Sequence, residues 1–144
     1  MATATAPLLA FVIIVATQQA AMSRVPPLAA LKTLDFRLAS QQASKECGDV
    51  ACLHGAANAC TPAHLGEDFS TIEGADVRHD TFVIRDGSKC VVVAFFDHTA
   101  DYWGGCLLLK RTCSTLEGVR GDFSHTEGCS EVALQKLEPC NPPF

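Results

Sequence analysis

The sequence predicts an α+β domain: one short helix packed on an antiparallel sheet of roughly three to five strands, disulfide-stabilised, with a short C-terminal helix. Three observations predict it. Residues 47–60 carry the caps and apolar spacing of a single helix. Residues 81–97 give the clearest hairpin signal in the chain. All eight cysteines fall between positions 47 and 140, and eight is an even number.

The helix comes first because the cysteines crowd there: Cys47, Cys52 and Cys60 lie within fourteen residues. Asp49, or Gly48, can cap its start, since a carboxylate there accepts an orphan amide proton of the first turn. Pro62 ends it and pushes Thr61 toward an extended conformation. Val50, Leu53, Ala57 and Cys60 fall on one stripe at helical spacing, the face meant for a sheet. Cys52 lies on the flank of that stripe, so Cys52 and Cys60 are expected to bond to different partners.

Upstream, the first 23 residues carry no charge, and Pro7–Ala16 is an apolar run of ten. Such a run is too short to span a bilayer but suits the core of a secretory signal. Small residues at Ala21 and Ser23 place the expected cleavage before Arg24, although no Lys or Arg precedes the run. The expected organisation is therefore a signal peptide at 1–23, an N-terminal helix or linker at 24–46, and one disulfide-rich domain at 47–144. Within the linker, Leu28, Leu31, Leu34 and Leu38 recur at spacings of three and four and predict an amphipathic helix docked on the core. Gln41–Glu46 reads as a polar tether.

Downstream the pattern turns to strands. Leu65, Phe69 and Ile72 mark a first strand that ends at Glu73-Gly74. Thr81–Arg85, an Asp86-Gly87 turn and Lys89–Asp97 form the hairpin. The second of these runs is apolar at nearly every position, which places it centrally with both faces covered. Cys90 at its start is well placed for a bond to the helix. Cys106–Cys113 is expected as a strand, and Phe123 lies in one further candidate. Ser130–Glu138 reads as a short helix, with Ser130 as cap and Pro139 as stop, bracketed by Cys129 and Cys140.

Cys47, Cys52, Cys60, Cys90, Cys106, Cys113, Cys129 and Cys140 are expected as disulfides rather than zinc ligands. An exported chain meets an oxidising compartment, and no second tight pair follows Cys47 and Cys52. Spacing alone leaves their connectivity open. The formal net charge of −5 and the scattered basic residues disfavour nucleic acid and anionic membrane surfaces as partners. No stable membrane anchor is expected once the signal is removed.

The pattern Cys47-Gly-x-x-x-Cys52-Leu-x-x-Ala-Ala-x-x-Cys60-x-Pro-Ala63, followed by the Lys89-Cys90-Val-Val-Val strand, resembles that of uncharacterised exported Cys-rich proteins of bacteria and archaea. The resemblance covers roughly residues 47–95, implies an extracytoplasmic disulfide-bonded domain, and brings no activity with it. The order of elements also resembles the cystatin-like arrangement. That likeness implies protease inhibition through hairpin turns, but Asp86-Gly87-Ser88 lacks the expected glutamine and valine. Tyr102-Trp103-Gly104 could mimic the second turn.

For chemistry the sequence offers little. There is no Gly-x-Ser-x-Gly elbow, and an even set of oxidised cysteines leaves no thiolate nucleophile. No catalytic residue, metal ligand set or cofactor is assigned. The strongest polar constellation is Asp97, His98 and Asp101 with Tyr102 and Trp103, a loop of the kind that carries contacts at strand ends. His64, His79 and His125 stand in polar surroundings and receive no role. The expected function is a secreted, non-enzymatic binding or structural module for an unknown extracellular protein or ligand. The alternatives are a cystatin-like protease inhibitor and a metal-dependent hydrolase built on Asp97, His98 and Asp101.

Overall fold

A computed structural model describes residues 33–121 and 128–141. The expected signal, Leu28 and Leu31 of the linker, and the Phe123 strand lie outside them. The elements run α1 (Leu34–Gln42), β1 (Lys45–Glu46), α2 (Val50–Ala59), β2 (Ala63–Ser70), β3 (Asp76–Asp86), β4 (Lys89–His98), β5 (Leu107–Cys113), α3 (Leu116–Arg120) and β6 (Cys129–Lys136). The strands form one sheet in the order of the chain. β1 pairs parallel with β2, and every later pair is antiparallel.

The sheet has six strands rather than three to five. Two additions explain the difference. Lys45-Glu46, read as tether, pairs with Ala63-His64 as a short edge strand. Ser130–Glu138, read as a helix, is largely strand β6. Its helix-forming residues are overruled by tertiary context: Cys129 sits opposite Cys113 in the β5 register and is disulfide-bonded to it, and Glu131 meets Arg111 of β5.

The core is divided by the sheet. On one face α2 and α3 cover Ala63, Leu65, Val83, Val92, Ala94 and Cys113 with Leu53, Ala56, Leu116 and Val119. On the other, α1 lays Phe36 and Ala39 against Phe82, Val93, Phe95 and Leu108. Phe36 meets Phe82 and Phe95 edge-on at 5.3 and 5.1 Å. β4 is thus covered on both sides from Val92 to Phe95, as its apolar run requires.

α2 starts where expected, with the Asp49 carboxylate accepting the Cys52 N–H at 2.8 Å. Its buried positions are Leu53 and Ala56, while Val50 is at the surface. Burying Leu53 completely contributes roughly 1.5–3 kcal/mol. Cys60 takes the left-handed C-cap conformation, φ 51°, usually given to glycine. Its bond to Cys90 fixes this helix end to β4.

α1 docks by a different stripe from the one expected. Phe36 and Ala39 face the sheet, whereas Leu34 and Leu38 are 62% and 49% exposed. Aromatic contact with Phe82 and Phe95 sets the rotation of the helix, so the leucine spacing faces outward.

Four disulfides close: Cys47–Cys52, Cys60–Cys90, Cys106–Cys140 and Cys113–Cys129. Cys52 and Cys60 do bond to different partners. Bonds of this kind are typical of extracytoplasmic proteins. Among the described residues no helix is long and apolar enough to cross a membrane.

Candidate functional site

Alternation along the strands and the reach of α2 together create a concave site. On the α2 face, successive rows across β3, β4 and β5 are Val83–Val92–Cys113, Thr81–Ala94–Arg111 and His79–Phe96–Leu109. α2 ends over the first row. The third row is left open, with α3 as a side wall and the turn after β4 as an end wall. Between them lies a cavity of about 510 Å3. Phe96 and Leu109 form its floor, Val119 its side and Trp103 its rim.

α3 holds its place because two arginines clamp it. The Arg111 guanidinium, buried from β5, donates to the carbonyls of Val119 and Gly121 at 2.9 and 3.0 Å and to Glu131 at 2.9 Å. A cation at a helix C-terminus satisfies carbonyls that the helix cannot. Its charge also lies 5.0 Å from the centre of the Phe96 ring. Arg120 of α3 reaches over the sheet to Glu67 of β2 at 2.8 Å. The Thr115 hydroxyl caps the other end of α3, accepting from the Gly118 N–H at 3.0 Å.

The polar wall of the cavity is a hydrogen-bonded chain of Asp101, His98 and His79. The Asp101 carboxylate accepts from His98 Nδ1 at 3.1 Å, and His98 Nε2 meets His79 Nε2 at 3.0 Å. With a carboxylate on one side, neutral His98 carries its proton on Nδ1, so its Nε2 accepts from the Nε2–H of His79; this tautomer is assigned from the network. Burial, with the His98 imidazole next to it, pushes the His79 pKa down to about 4. Burial opposes the Asp101 charge, but the His98 hydrogen bond and the Gly104 and Trp103 amides outweigh it and lower the Asp101 pKa. Gly104 makes this possible: a Cβ there would stand 2.6 Å from Asp101 Oδ2 and 2.8 Å from His98 Nδ1.

Of the five residues singled out in the sequence, His98 and Asp101 pair, and Trp103 borders the cavity. Trp103 is 64% exposed, and Tyr102 packs edge-on against it at 5.1 Å. Asp97 alternates to the opposite face, where its buried carboxylate accepts the Thr99 N–H and hydroxyl at 3.0 and 2.6 Å. It secures the turn and does not meet His98. His79, Phe96, Arg111 and Arg120 also line the cavity and carry no local sequence pattern that marks them as site residues. Strand register would have found the first two: counting outward from the Gly87-Ser88 turn sets His79 opposite Phe96, with His98 two residues further on the same face.

A second polar cluster occupies the other face. His64 lies between Glu46 and Asp80, at 2.7 and 2.6 Å, and stacks on Phe82 with centres 4.5 Å apart. Arg78 joins Asp80 to Asp68. Burial disfavours charge on both His64 and Asp80. The hydrogen bonds outweigh it, raising the His64 pKa and lowering that of Asp80. Gly66 leaves room for this, since a Cβ there would run into the Arg78 guanidinium. The cluster ties β1, β2 and β3 together and is a structural lock.

No family model, curated protein or solved structure matches this chain. Among the described residues, no three His, Cys, Asp or Glu side chains are grouped to hold a metal ion.

Proposed function

We propose that the protein is an exported, disulfide-held, non-enzymatic binding module that takes a small, largely apolar molecule into the cavity between β3–β5 and α3. The observation that carries this reading is the cavity of about 510 Å3, with Phe96, Leu109 and Val119 as its apolar lining. Ligand pockets are of this size and character, with a few convergent polar groups fixing orientation. Here those groups are His79, His98 and Arg120. Trp103 at the rim supplies a flat surface for an aromatic ligand. Export is supported by the uncharged, apolar-centred composition of residues 1–23 and by the four disulfides.

Trp103 is the sole tryptophan, so the site carries its own reporter. Titration with 1-anilinonaphthalene-8-sulfonate tests the reading. One dye per chain should bind with energy transfer from Trp103, and Leu109→Gln should weaken it. Absence of binding under conditions where near-UV circular dichroism reports native packing would refute the reading.

A second reading, inhibition of a protease, draws on one observation. Ile72 is wholly exposed in the turn after β2, at the same end of the sheet as the Trp103 turn. The Asp86-Gly87-Ser88 turn lies at the opposite end of β4 and cannot join them. Titration of a papain-like protease with the mature domain separates the two readings.

A further inference from the structure

We propose that His79 and His98 form a copper(II) site at the wall of the cavity, with Asp101 as the positioning residue. Their Nε2 atoms are 3.0 Å apart. Two imidazole nitrogens bound side by side to one ion at about 2 Å are about 2.8–3 Å from each other, so the present separation already suits a chelate once both rings turn their Nε2 atoms from each other toward a shared point. His98 is already arranged as a metal ligand: its Nδ1–H is held by Asp101, which leaves Nε2 as the coordinating atom. Metal-ligating histidines are ordinarily oriented this way by a carboxylate. Gly104 keeps the pair in that position, because any side chain there would press on both groups.

The proton balance is simple. His79 gives up its Nε2–H and takes a proton on Nδ1, so neutral imidazole remains neutral and only the tautomer changes. No electron transfer is involved. The remaining coordination positions face the cavity, where solvent or a donor group on a bound molecule fills them.

The choice of ion follows from the donor set. With only two protein ligands, a structural zinc site is excluded, because such sites close with four. Copper(II) binds nitrogen donors most tightly among the divalent first-row metals and accepts a tetragonal arrangement with solvent. An oxidising compartment, to which the disulfides belong, keeps copper in this state. The inference rests on the cavity being open, as in the proposed function, but not on which organic molecule enters it.

The test is titration of the intact metal-free protein with copper(II) chloride in a non-coordinating buffer at neutral pH, followed by Trp103 quenching and electron paramagnetic resonance. The expected result is one ion per chain, with nitrogen hyperfine structure. Affinity should fall at least about tenfold in His79→Gln and in His98→Gln, and about tenfold or more in Asp101→Asn. Wild-type affinity in the folded His79→Gln and His98→Gln variants, or no nitrogen coupling in the wild type, overturns the proposal. If a variant does not fold, proton NMR of the wild type decides. Copper must broaden the His79 and His98 ring signals before those of His54 and His64, and the reverse order overturns the site. Dye binding without copper binding removes this inference and leaves the pocket. Copper binding without dye binding does the opposite.

Discussion

His79 and His98 meet Nε2 to Nε2 at 3.0 Å from adjacent strands, a diagonal contact that only the β3–β4 register creates. One consequence concerns acid. The folded protein holds His79 neutral down to about pH 4, whereas the unfolded chain takes up that proton near 6.5. The unfolded state therefore binds more protons in this window, and stability must rise with pH through it. In the metal-free protein, acidification from 6.5 toward 4 should remove up to roughly 3 kcal/mol, less whatever solvent screening recovers. Urea unfolding at several pH values measures it, and His79→Gln should flatten the slope.

The other histidine lock titrates with the opposite sign. His64 has a raised pKa in the fold, so its contribution is complete below the unfolded value near 6.5 and disappears as pH climbs through the raised one. Asp80, with a lowered pKa, contributes above its ordinary range and loses that only in strong acid. His64→Gln should therefore lower the urea midpoint at pH 6 and change it little at pH 9. Hydrogen exchange at the Cys47 amide, which donates to the His64 carbonyl at 2.7 Å, should accelerate in the same variant.

Gly104→Ala should be among the costliest single-atom additions in the molecule. Its methyl would need space held by Asp101 and His98, and overpacking of this kind costs roughly 1–3 kcal/mol. Dye and copper affinities should both fall, because the turn carries Trp103 as well as the His98–Asp101 pair. A variant with unchanged stability would show that the turn is not packed as described.

The cross-links give a direct chemical check. Peptide mapping without reductant should recover Cys47–Cys52, Cys60–Cys90, Cys106–Cys140 and Cys113–Cys129. Replacing Cys60 and Cys90 together by serine should cost about 2–4 kcal/mol, since their bond closes a 30-residue separation and fixes the end of α2. Denaturation of this double variant measures it.

What could be read from the sequence was what local chemistry decides. The Asp49 cap, the proline stop and the hairpin signal around Asp86-Gly87 each depend on a few adjacent residues, and all three features are present, although Asp86 still pairs with Lys89 and the turn itself is Gly87-Ser88. Non-local pairing was hidden. Residues 130–138 have helical propensity, yet Cys129 and Glu131 are drawn to Cys113 and Arg111 of β5, and the segment extends. The leucines of α1 pointed to the wrong face because Phe36, a single aromatic, outweighs them at the sheet. At the site, Asp97 and His98 are neighbours in the chain, which invited a shared role. In a strand, neighbours point to opposite faces, so His98 meets Asp101 and, across the strands, His79, nineteen positions away, but not Asp97.

The most direct test of the pocket is where a ligand perturbs the protein. A nitrogen–proton correlation spectrum, recorded while anilinonaphthalene sulfonate is added, reports this at every amide. The predicted result is that the largest shifts fall on His79, Phe96, His98, Trp103, Leu109 and Arg120 and saturate at one dye per chain. Shifts centred instead on the exposed leucines of α1, Leu34 and Leu38, would contradict the account.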